Sequence, residues 1–136
     1  MSQLTLEILT PQKRILKTET PFVTIPGSEG ELGVLPEHVP LVTTVKSGVL
    51  AYEEEGQRKL CAVHYGYAQV QGGTVTLLTE MAEPGDEIDL ARARSAEEKA
   101  REELKRLLAE QNDEENRLEK YEAKLQRALI RQQTKP

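Results

Sequence analysis

The sequence predicts a mainly β N-terminal domain followed by an α-helical C-terminal one. Apolar residues alternate with polar ones near the start, as in Leu4, Leu6 and Ile8, which is the period of a half-buried strand. Further on they recur every three or four residues: Ala93, Ala96, Ala100, Leu104 and Leu107, then Leu118, Tyr121, Leu125, Ala128 and Leu129. Composition divides at the same place. Residues 1–86 hold 6 basic and 11 acidic side chains and all the glycines; residues 87–136 hold 12 of each and no proline but the last residue. Pro84-Gly85, a turn dipeptide, marks the boundary, so the domains are placed at 1–86 and 87–136.

Within the first unit, turn clusters at Thr10-Pro11, Pro26-Gly27-Ser28, Gly30, Gly33, Glu54-Glu55-Gly56 and Gly72-Gly73 separate short β-branched runs. The runs are Phe22–Ile25, Leu41–Val45, Val49–Tyr52, Leu60–Val63, Tyr65–Val70 and Val75–Leu78. Strands at such spacing suggest an antiparallel sandwich or barrel. Gln71-Gly72-Gly73-Thr74 is the best hairpin turn, because adjacent glycines accept positive φ at both central positions. In the second unit Asp89 suits the N-cap of a first helix, and Asn112 with Glu115 gives a capping-box start to a second. Two antiparallel helices follow naturally, but the connection LAEQNDEENRL has neither glycine nor proline. One continuous helix over 89–133 is therefore the alternative, and a chain that accommodates both is a two-state element.

Several function classes are excluded. A net charge of -5 disfavours wholesale nucleic-acid binding. One cysteine, Cys61, cannot support a disulfide framework. No apolar run approaches the ~20 residues of a membrane span. The start, MSQLTLEILTP, lacks a signal-peptide core and the Arg-rich character of a transit peptide, so the mature chain is expected to begin there, in cytosol or an equivalent space. There is no phosphate-binding GxxxxGK loop, GxSxG elbow, HExxH or Cys-x-x-Cys, and two histidines are too few for most metal sites. His64, in LCAVHYGY, reads as a partly buried strand histidine rather than a ligand. His38 lies between Pro36 and Pro40, which fix φ and remove backbone donors, so its segment belongs on a non-pairing ridge. It reads as a surface histidine or a partner contact, not as a catalyst.

Charge in the last helix is more informative. Lys120, Lys124, Arg127, Arg131 and Lys135 repeat at helical spacing, and residues 117–136 carry six basic against two acidic side chains. Such a stripe is either a solvated face or a docking face for an anionic target: an acidic protein segment, a phosphate or lipid headgroups.

Three ordered matches give a resemblance that covers the whole chain. GELGVLPEHVPLVTTVKSGVL, residues 30–50, HYGYAQVQGGTVTLL and EIDLARA resemble motifs of the epsilon subunit of rotary F-type ATP synthases. The resemblance implies a ten-stranded β-sandwich at the foot of the rotating stalk, against the gamma subunit and the ring of membrane c subunits. By position, Ser28, Glu29 and Glu31 in the Pro26–Gly33 turn region face the ring, and His38 faces gamma. It implies a two-helix tail that either folds down as a hairpin or extends into the alpha/beta catalytic head, where it blocks ATP hydrolysis. Lys120, Lys124, Arg127 and Arg131 would then dock on an acidic segment of the beta subunits. The chain would be non-catalytic and need no cofactor or metal. ATP is implied as a regulatory ligand of the folded hairpin, at Glu83, Ile88, Asp89, Arg92, Ala93, Arg127 and Arg131; plain salt bridges are the other reading of those arginines. The expected location is peripheral, on the cytoplasmic side of a bacterial inner membrane. A free-standing sandwich adaptor, or a nucleotide sensor with no assembly role, are the readings from other classes.

Overall fold

A computed structural model of the chain describes residues 3–110 and 117–135. The strands are β1 (Leu4–Leu9), β2 (Arg14–Thr20), β3 (Val23–Gly27), β4 (Gly30–Val34), β5 (Leu41–Val45), β6 (Gly48–Glu54), β7 (Gln57–Gln71) and β8 (Thr74–Pro84). A 3-10 turn, Gly85–Glu87, leads to the helices α1 (Leu90–Glu110) and α2 (Arg117–Thr134).

The pairing register divides these strands into two layers. One is β2-β1-β8-β7-β5, using residues 74–79 of β8 and 66–71 of β7. The other is β4-β3-β6-β7-β8, using residues 57–63 of β7 and 81–84 of β8. A single link between Gly27 and Val45 ties the layers at one edge. Leu4, Leu6, Ile8, Val75 and Leu77 from the first layer meet Val23, Ile25, Val34, Leu50 and Val63 from the second in one buried core. Alternation along each strand sends these side chains inward and leaves polar residues outside, the hydrophobic pattern that a sandwich requires.

Among the described residues the count is eight strands, not the ten that the resemblance implies. Leu60–Val63 and Tyr65–Val70, separate in the sequence reading, are one 15-residue strand. The inward-facing positions explain the error. Cys61 and Val63 are buried, then Ala68 and Val70, so the alternation slips by one between them. The slip occurs at Tyr65, whose φ is 48°, and the Tyr65–Glu80 pair is missing from an otherwise continuous ladder with β8. β8 slips opposite it, from Leu77 to Ala82. Each long strand thus serves both layers. Gly66 permits the close crossing: a Cβ there would fall on the carbonyl oxygen of Leu78.

Other differences are local. β2 and β4 went unread because they are edge strands with polar or glycine-rich sequences. β1 pairs β8 in parallel, so the sandwich is not wholly antiparallel. The Gly72-Gly73 turn is as expected, with φ of 56° and 77° between the paired Gln71 and Thr74. Asp89 caps α1: its Oδ1 accepts from the Arg92 amide at 3.0 Å. Asn112 and Glu115 lie outside the described residues.

The two helices fold back on one another rather than running on as one. The Gln132 amide near the end of α2 donates to Glu97 near the start of α1 at 2.7 Å, an antiparallel arrangement. Ala93, Ala100 and Leu107 are the buried side of α1, and the two alanines let α2 approach closely. It is α2 that rests on the sandwich, where Ile130 packs with Ala62, Ile88 and Val49. Cys61 is buried in the core, and burial pushes its thiol up to about 12, so it is unreactive in the folded protein.

Replacement of Gly66 by alanine should cost about 3 kcal/mol of stability, because the clash is with backbone and no side chain can yield. Denaturant unfolding would measure it, with Gly33→Ala, where a Cβ meets nothing within 4 Å, as the mild comparison.

Candidate functional site

The outer side of the second layer, the 3-10 turn and the facing sides of α1 and α2 enclose a cleft of about 800 Å³. All seven residues that sequence similarity assigned to nucleotide line it: Glu83, Ile88, Asp89, Arg92, Ala93, Arg127 and Arg131. They come from three elements separated by up to 48 positions in the chain. Glu83 points outward from β8 because Ala82 points inward. Ile88 is anchored under α2, and Asp89 and Arg92 follow at the first turn of α1. Arg127 and Arg131 share a face of α2, being four residues apart.

The lining carries five cations, Arg92, Lys99, Lys124, Arg127 and Arg131, and five carboxylates, Glu83, Glu87, Asp89, Glu102 and Glu103. Their engagement differs. Arg131 Nε donates to Glu83 Oε1 at 2.6 Å with both side chains partly shielded, fastening α2 to β8. Asp89 gives one carboxylate oxygen, Oδ1, to its cap. Arg127 is half-buried and, among the described residues, has no carboxylate within ion-pair distance. A guanidinium in that condition keeps a fork of donors whose geometry matches carboxylate or phosphate oxygens.

Lys99 and Tyr121 also line the cleft and were not singled out from the sequence. Arg92, Ala96, Lys99 and Glu103 recur at 4, 3 and 4 residues, so the face they share on α1 was legible. Lys124 and Lys120 lie 5.0 Å and 5.8 Å from the centre of the Tyr121 ring. The predicted basic stripe is therefore partly enclosed. Lys120 and Lys124 are exposed, Lys124 at the cleft's edge, whereas Arg127 and Arg131 are half-buried in its lining. A hairpin in this state cannot offer the whole stripe to an outside partner.

The residues assigned to other subunits fall elsewhere. Ser28 and Glu29 form the exposed tip of the β3–β4 hairpin, with Glu31 exposed just beyond. Ser28 Oγ accepts from Thr44 Oγ1 at 2.6 Å. His38 closes a turn at the far end of β4, its amide donating to the Leu35 carbonyl at 2.9 Å and its Nδ1 lying 2.7 Å from the Val39 carbonyl. Leu35 and Val39 beside it are exposed. His64 is the other kind of histidine: it is 2 % exposed, beneath α2, and among the described residues no metal-binding cluster includes it.

The sandwich is of the kind described as the ATP synthase delta/epsilon chain, beta-sandwich domain, whose family profile matches residues 3–85. Along its whole length the chain is similar to curated ATP synthase epsilon chains. That of Geotalea uraniireducens is 47% identical over 131 residues, 96% of this chain and 92% of its own. That of Geobacter sulfurreducens is 43% identical over the same shares. Among solved structures, a chain of the Euglena gracilis mitochondrial ATP synthase (OSCP/F1/c-ring, rotational state 1) superposes with a TM-score of 0.76 at 29% identity, covering 93% of this chain and 77% of that one. The chain belongs to the epsilon family of F-type ATP synthases, non-catalytic subunits of the central stalk.

Substituting Glu83 by glutamine removes the charge partner of Arg131 at the one ion pair between α2 and the sandwich among the described residues. Because the pair is only partly shielded, the expected loss is about 1 kcal/mol. Amide hydrogen exchange over 126–132 should accelerate about fivefold while the β1 and β8 amides are unchanged.

Proposed function

We propose that this chain couples the gamma rotor to the c-ring and that its helical tail is a brake on ATP hydrolysis, held off by ATP bound in the cleft. The observation that carries the reading is the convergence of Glu83, Ile88, Asp89, Arg92, Ala93, Arg127 and Arg131 on one cleft, with Arg127 left without a carboxylate among the described residues. Its volume is within the ~300–1,000 Å³ typical of small-ligand sites. Phosphate oxygens would meet Arg127 and Arg92. Asp89 and Glu87 are placed to accept from hydroxyl or amine groups on the rest of the ligand.

The same geometry explains how binding could gate the brake. Arg127 and Arg131 belong both to the cleft and to the stripe that would dock on the beta subunits. They serve one or the other, never both. Nucleotide favours the hairpin because the cleft exists only when α1, α2 and the sandwich are together. At about ten times its dissociation constant, a ligand stabilises the bound state by ~1.4 kcal/mol, enough to bias a closely balanced hairpin. The exposed hairpin tip at Ser28, Glu29 and Glu31 suits the c-ring. The rigid turn at His38 suits gamma, since a preformed loop loses little entropy on docking. In a bacterial cell the protein would be peripheral, through its complex, on the cytoplasmic side of the inner membrane.

Spin labels on the exposed Lys105 and Glu122 would report the hairpin as ATP is added to the full chain. A saturable shortening of their separation is expected, with Arg127→Met weakening the apparent affinity about tenfold through loss of a charge-assisted contact. No response to ATP would sink the nucleotide reading. In the assembled synthase, truncation after residue 86 should raise hydrolysis while leaving the complex intact; unchanged hydrolysis would refute the brake.

A further inference from the structure

His64 is the one buried ionisable side chain lying at the seam between α2 and the sandwich among the described residues. Its neighbours explain why it is under the helix. Val63 points into the core, so His64, like Ala62, points out from β7, onto the face that α2 covers. Nδ1 is 3.4 Å from the Ser47 hydroxyl, at the limit of a hydrogen bond. Nε2 is buried and has no partner among the described residues. The charged groups that face the ring are Arg131 and Arg127 from α2 and Glu83 from β8; the β5–β6 connection offers only the Ser47 hydroxyl. Two of the three charges are cationic, and Glu83 is already engaged by Arg131.

We propose that His64 is a pH-sensitive latch: α2 seats on the sandwich over a neutral imidazole, and protonation of that imidazole releases the helix. A seated imidazolium would be shut off from solvent, with no acceptor for its second N–H among the described residues and two guanidinium groups nearby. Burial first, then Arg131, hold its pKa down to about 4, with Glu83 opposing. Once α2 leaves, the ring stands on an exposed strand face and returns toward its ordinary 6.5. The sign follows. A basic group depressed in the seated state favours seating fully above the unseated value, and that support is lost as pH falls from 6.5 toward 4. The two values give a seating constant about tenfold lower at about pH 5.5 than at about pH 7.5, and a limiting loss of about 300-fold.

This goes beyond nucleotide gating, because the cue is a proton and the receptor is in the seam, not the cleft. Its consequence for hydrolysis rests on the tail acting as a brake: acidification would free the tail to engage the catalytic head. The latch itself needs neither nucleotide nor partner subunits.

The test uses the full chain without nucleotide, labelled at the exposed Gln57 and Gln133 through introduced cysteines, Cys61 being buried. The ratio of unseated to seated α2 should rise about tenfold between about pH 7.5 and about pH 5.5, and by less than about twofold in His64→Gln. An equal rise in H64Q, or none in the unsubstituted protein, overturns the proposal. Ring NMR of the unsubstituted chain gives a second reading, with the other histidine removed by His38→Gln. His64 should titrate near 4 while α2 is seated; a midpoint near 6.5 with the helix still seated overturns it as well. ATP response at about pH 7.5, measured separately, distinguishes the two ideas: loss of that response defeats the nucleotide reading and leaves the latch untouched.

Discussion

The structure depends on a crossing of two strands. At Gly66 the backbone of β7 lies against the carbonyl of Leu78 so closely that no side chain fits between them. One residue earlier Tyr65 adopts a positive φ, and the inward-facing set of side chains changes parity. That single slip lets β7 and β8 run from one layer of the sandwich into the other at the loss of one pair, Tyr65–Glu80, from their ladder. The two layers thereby share strands as well as side chains. The two faces of such a body are joined by covalent chain and by a ladder that lacks one pair, which suits a stalk component.

The same crossing sets where the tail can sit. Because Val63 faces the core, Ala62 and His64 face out, and with Glu83 and Met81 on β8 they form the floor on which α2 rests. Tyr65, turned by its own strained backbone, reaches α2 by donating its hydroxyl hydrogen to Gln126 Oε1 at 3.1 Å. The seam is small and mixed: an apolar spot at Ile130, Ala62 and Ile88, one ion pair, and a histidine without a full set of partners. A large apolar seam would hold the helix permanently. This one holds it through a few contacts.

Economy of residues follows from that seam. Arg127 and Arg131 both line the cleft, and Arg131 also fastens α2 to Glu83. The Gln132–Glu97 contact and the capped start of α1 give the hairpin its alignment without burying much surface.

The sequence by itself determined the order of strands followed by helices, the existence of most strands, both helices, the Asp89 cap and the Gly72-Gly73 turn. These depend on local chemistry: apolar period, capping oxygens and glycine's access to positive φ. It also carried the residues of the cleft, but only through resemblance to a family. What tertiary structure alone decided was the joining of Leu60–Val63 to Tyr65–Val70, the edge strands β2 and β4, the burial of His64 under α2, and the pairing of Arg131 with Glu83. Edge strands lack the two-sided burial that gives a strand its apolar signature. A histidine or an arginine looks the same in a one-dimensional string whether it faces water or another element. Its role depends on what long-range packing brings within a few ångströms, and that is set by the crossing at Gly66, not by its neighbours in the chain.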